Sequence, residues 1–140
     1  MKGPAGSRLN YGAILLSAVA AFALSFVWYS ALAEPMLRMH PVSPATAADM
    51  VRPPVGKMLA EIARSLILAS VLAWLVGRLG VSTWTSAVWL AVLLWVGFPF
   101  VLWAGAIMWE NVPLELAAIH AGDWLLKLVL ISVIVGVWRR

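Results

Sequence analysis

Hydrophobic residues fall in four long runs along the chain, and polar residues collect in the gaps between them. The runs cover residues 11–32, 58–76, 83–108 and 114–138. About 20 apolar residues in a helix suffice to cross a hydrocarbon core roughly 30 Å thick. Each run is near that length, so the pattern predicts four transmembrane helices. The fold class is then all-α, a four-helix membrane bundle forming a single domain over residues 1–140. Lys2 and Arg8 precede the first run, and Ala31, Leu32 and Ala33 near its end resemble a signal-peptide cleavage site. The run is nevertheless longer than the roughly 7–15-residue core of a signal peptide, and is read as a span. Within it, Ala13, Ser17, Ala21 and Ser25 recur every four residues. Such a stripe of small side chains lets a neighbouring helix approach closely. Trp28 and Tyr29 near its end, and Trp109 after the third run, are expected to be interfacial anchors.

Residues 33–56 break the pattern. Five prolines lie here (Pro35, Pro41, Pro44, Pro53 and Pro54). Proline has no amide hydrogen and clashes with the preceding turn, so the segment is expected to be an extramembrane linker without a long helix. Pro99 follows Gly97 and Phe98 in the middle of the third run. It should remove one helical hydrogen bond and kink that helix.

Composition supports the membrane reading. The chain is 64% apolar and 11% charged, against about 45–50% and about 25% in soluble domains. The basic residues are scattered, which argues against nucleic acid as a partner and leaves the lipid bilayer. The absence of cysteine excludes disulfides, Cys-ligated zinc and thiol catalysis. Four spans place both termini on one side, with Lys2, Arg8, Arg78, Arg139 and Arg140. The opposite side carries Arg38, Arg52 and Lys57, together with Glu34, Asp49, Glu110 and Glu115. The excess of basic residues at the terminal side predicts that both termini are cytoplasmic.

The exceptions to the apolar pattern carry the candidate chemistry. His120, Asp123 and Lys127 fall on one face of the fourth helix. Glu61 and Arg64 lie near the start of the second. Both helices start on the side away from the termini, so these residues should share a depth, with Lys127 deeper. An isolated charge at the centre of a membrane helix costs about 2.5–3.5 kcal/mol, and such residues usually face the bundle interior and pair. Two acids balance two bases here. The pairs can close within their own helices, at i,i+4 and i,i+3, or cross-link the second helix to the fourth.

Two functions follow from this cluster. It can bind or pass a small polar or ionic solute. Alternatively, it is a purely structural network in an accessory or scaffold subunit. His120 is the member without an obligatory partner. A metal site from His120, Asp123 and Glu61 lacks a second nearby histidine, so no metal and no cofactor are expected. No Gly-rich phosphate loop, zinc-protease motif or nucleophile elbow is present. With no nucleophile–base pair visible, an enzyme is not expected. Four helices shield few side chains, and the small-residue stripe on the first offers a contact face. Self-association or membership of a larger membrane complex is therefore expected.

Asn10, Tyr11 and Gly12, then Trp28, Tyr29 and Ser30, then Pro35 and Met36 resemble the opening signature of domain-of-unknown-function family 1761. Its members are small membrane proteins whose first helix ends in a Trp-Tyr motif. Leu94 through Pro99, then Trp109, Glu110 and Asn111, then Ile119 through Trp124 resemble the second half of that family. The resemblance covers most of the chain outside the linker. It implies the four-helix architecture and brings no established activity with it.

Overall fold

The computed structural model describes residues 9–39 and 41–138. Lys2, Arg8, Arg139 and Arg140, used above in reading charge and termini, lie outside the described residues. The helices are α1 (Tyr11–Met39), α2 (Pro44–Val51), α3 (Val55–Arg78), α4 (Trp84–Trp95), α5 (Val101–Glu110) and α6 (Leu114–Val137). A π-helical turn, Val96–Phe100, joins α4 to α5, so that Trp84–Glu110 is one rod. Among the described residues, four helical rods are long and apolar enough to span a membrane. The protein is an all-α integral membrane protein, as the hydropathy pattern predicted.

The boundaries depart from the expectation at the linker. α1 continues through Pro35 to Met39, and α2 occupies much of the remainder. Pro35 is exposed beyond the apolar run, where water can solvate the carbonyl it frees. At α2 the proline favours the helix. Pro44 occupies the first turn, where an amide hydrogen would be unpaired anyway, and the Ser43 hydroxyl accepts from the Thr46 amide. Lys57 Nζ meets Asp49 Oδ2 at 2.7 Å, tying α2 to the start of α3.

The other turns are set by local chemistry. Gly80 adopts φ +68°, which a glycine takes without steric cost. Val81 N then donates to Val76 O at 3.1 Å, and Gly80 N to Gly77 O at 3.4 Å, closing α3 with a Schellman motif. Thr83 and Ser86 start α4 with reciprocal capping bonds. At the opposite end, Asn111 turns left-handed at φ +55° to end α5.

α6 is the central element. It packs against α1, α3, α4 and α5, and α1 also packs on α3. Asn10 Nδ2 donates to Trp138 O at 2.9 Å, joining the start of α1 to the end of α6 on the terminal side. In that half the interior is closely packed. Ala18, Ala69, Leu72, Val76, Ile131 and Val135 are all buried there. Small residues dominate because lipid tails are as apolar as leucine, so helices associate through close packing. Gly136 shows this: a Cβ there would sit 3.4 Å from Ala87 Cβ. The outer faces are apolar instead, with Leu15, Val19, Ile67, Trp89, Leu93 and Val101 exposed. That inversion requires lipid around the bundle.

Candidate functional site

The five predicted residues come together. Lys127 Nζ lies 3.0 Å from Glu61 Oε1 and 3.2 Å from Asp123 Oδ2. Arg64 reaches the other Glu61 oxygen at 2.7 Å. The two arrangements left open by spacing both occur: Asp123–Lys127 and Glu61–Arg64 close within their helices, and Lys127–Glu61 joins α6 to α3. Asp123 is 2% exposed and Lys127 5%. Charges so sheltered persist because each has an opposite partner at contact distance.

α1 completes the network with residues assigned other roles from the sequence. Ser25 Oγ donates to Asp123 Oδ1 at 2.5 Å. The Tyr29 hydroxyl lies 2.8 Å from His120 Nδ1 and 3.4 Å from Asp123 Oδ2. His120 thus has a partner, and its ring also stacks on Trp103, with centroids 4.7 Å apart and planes 6° from parallel. The network runs from Arg64 through Glu61, Lys127 and Asp123 to Tyr29 and His120.

Tyr29 and Trp28 therefore correct the anchor reading. Both turn inward. Trp28 Nε1 donates to Ile119 O at 3.0 Å, and its ring edge lies over Gly122. A Cβ at Gly122 would meet Trp28 Cζ2 at 3.0 Å, so the glycine makes room for the indole. Trp109 lies at the end of α5 and is 82% exposed. The stripe of Ala13, Ser17, Ala21 and Ser25 is buried within the bundle. Its use inside the chain removes it as a face for self-association. One more step of four along the stripe reaches Tyr29, a signal of its inward direction that was present in the sequence.

The π-helical turn positions the far wall. On a regular α-helix, Trp95 and Trp103 would point about 80° apart. The wider turn at Val96–Phe100 absorbs one extra residue and brings both onto α6. Trp95 Nε1 donates to Ala121 O at 2.7 Å while Trp103 covers His120. Pro99 sits in this turn, which replaces the simple kink expected from the sequence.

These walls border an open cavity of about 440 Å³. Ser25, Tyr29, Glu61, His120, Asp123 and Lys127 line it, with Trp103 behind His120. Met50 and Pro53, from α2 and the loop after it, lie at its outer end. The packing of Leu72, Val76 and Ile131 fills the terminal half beneath. The cavity therefore lies in the half of the bundle that holds α2. Among the described residues, no three His, Asp or Glu side chains are grouped to hold a metal ion. Lys127 lies between the two carboxylates instead.

The fold and this site define a class: a small integral membrane protein with a charge-balanced polar cluster inside its helical bundle. The chain belongs to the family described as "Protein of unknown function (DUF1761)", whose family model matches residues 12–136. No curated protein and no solved structure matches it.

Proposed function

We propose that the protein binds a small polar or ionic solute in the cavity at Glu61, His120, Asp123 and Lys127, without acting on it as an enzyme. The observation that carries this reading is the cavity itself. Asp123 and Lys127 line a space large enough for a small molecule, rather than a helix contact without a void. Pockets of about 300–1,000 Å³ with a few convergent polar groups are the usual form of small-molecule sites. Intramembrane ionisable side chains facing such a space commonly mark solute pathways. A bound solute would exchange hydrogen bonds with the Tyr29 hydroxyl and the carboxylates. Passage to the other side would require opening the packed half around Leu72 and Ile131, so transport, where it occurs, proceeds by alternating access.

One observation favours a second reading, an accessory subunit with a structural cluster. Every charge in the cluster already has an opposite partner. Purification of the wild type and Asp123→Asn in mild detergent separates the two. Mass spectrometry of the released small molecules should show a solute retained by the wild type and lost from the folded variant. Identical small-molecule profiles from two equally folded proteins would refute solute binding and leave the structural reading.

A further inference from the structure

A second site lies on the outer side of the cluster. α3 and α4 flank α6 without extensive packing on each other, which leaves a groove floored by α6. Its deeper part, about 600 Å³, is walled by Leu72 and Leu75 on one side and Leu94 and Leu102 on the other. Its upper part, about 300 Å³, is lined by Glu61, Arg64, Ser65 and Lys127. The two parts share Leu68, Val71 and Trp124 and so form one groove. A polar end thus leads directly into an apolar trough.

We propose that this groove holds an anionic phospholipid from the leaflet on the α2 side. Its phosphate sits at Arg64 and one acyl chain lies along α3 and α6. Three observations select this occupant. The first is direction: the polar end faces the start of α3 and the apolar end runs toward its C-terminus, which is the orientation of a lipid in that leaflet. The Arg64 guanidinium reaches back to Glu61, and from that level half of a hydrocarbon core of roughly 30 Å runs about 15 Å along α3, to Val71. The second is charge. Arg64 is the exposed cation of the polar end, while Lys127 is held inside between Glu61 and Asp123. The third is unused donors. Arg64 engages Glu61 through one terminal nitrogen and keeps its others free of hydrogen bonds among the described residues. Its side chain is 63% exposed. Among the described residues, the buried Ser65 Oγ has no hydrogen-bond partner. A guanidinium fork with spare donors recognises phosphate oxygens in a planar, paired geometry.

The test is native mass spectrometry of the full chain in mild detergent with equimolar phosphatidylglycerol and phosphatidylcholine of identical acyl composition. The wild type should retain phosphatidylglycerol over phosphatidylcholine by about tenfold. Arg64→Gln should bring the ratio close to one. Val71→Trp, at an exposed position shared by both parts of the groove, should reduce retention of both lipids. Equal retention by the wild type, an unchanged preference in Arg64→Gln, or full retention in Val71→Trp would each overturn the proposal. A lipid-free dimer would overturn it too, by assigning the groove to a second copy. The inference is separable from solute binding: Asp123→Asn should leave the lipid preference intact, whatever happens to the solute.

Discussion

Neutralising the buried pair one member at a time and then together should reveal strong coupling. Lys127→Met leaves Asp123, 2% exposed, with only the Ser25 and Tyr29 hydroxyls, and leaves Glu61 with Arg64. Removing one partner of a buried ion pair costs about 3–5 kcal/mol, and that range is expected here. Asp123→Asn should cost less, about 1–3 kcal/mol. Lys127 keeps Glu61 at 3.0 Å, and an asparagine oxygen can still accept from Ser25. In the double variant, the remaining charges are Glu61 and Arg64, which pair at 2.7 Å. Its cost should therefore fall about 2–3 kcal/mol short of the sum of the single costs. SDS titration of the detergent-solubilised proteins, followed by far-UV circular dichroism, measures all four corners of the cycle. Additivity within about 0.5 kcal/mol would refute the reasoning, since it would mean that the two charges do not depend on each other. The double variant also provides a folded protein without the central charges, in which loss of solute binding cannot be attributed to loss of fold.

Three further outcomes are expected. Gly122→Ala should cost about 1–3 kcal/mol, because its Cβ would lie 3.0 Å from Trp28 Cζ2; Trp28→Phe in the same chain should recover part of the loss, and an unperturbed SDS midpoint for Gly122→Ala alone would contradict the packing. Tyr29→Phe should cost about 1–2 kcal/mol, since it leaves His120 Nδ1 without its 2.8 Å partner; a stability equal to wild type in the same titration would return Tyr29 to the role of an outer anchor. Deleting Pro99 should be tolerated, because it removes the residue that the π-helical turn absorbs and keeps Trp95 and Trp103 on one face. Deleting the exposed Leu93 instead should rotate Ala87 and Ala91 away from α6 and abolish folded protein, as read by the yield of monodisperse material.

The four spans were legible because the membrane demands about 20 apolar residues for each crossing. The depth of the charged residues followed from counting along helices that start on the same side. Their partners were harder to read. An aromatic residue near the end of a membrane helix can sit in the headgroup belt or turn inward, and the two choices look alike in composition. Trp28 turns inward where Gly122 opens space on α6, and Tyr29 where His120 and Asp123 meet its hydroxyl, which is visible only once α1 and α6 are set side by side. Trp103 was hidden by the extra residue in the π-helical turn, which shifts the phase of every position after it. The end of α1 was drawn short, and α2 was passed over, because proline was counted as a helix breaker throughout. Pro44 instead occupies a first turn, and Pro35 lies where water can satisfy the carbonyl it frees.

The central claim is that the charged cluster faces a cavity reached by water from the α2 side. The chain has no cysteine, so single cysteines can test it without background. Ser30 lies at the cavity's outer part, Ser25 beside Asp123 at its depth, and Ser132 in the packed half below. Each is replaced by cysteine in turn and treated in proteoliposomes with a water-soluble cationic methanethiosulfonate reagent. Ser30→Cys and Ser25→Cys should be modified, and Ser132→Cys should react only after denaturation. A Ser25→Cys variant as unreactive as Ser132→Cys would contradict the account and make the cluster a sealed structural contact.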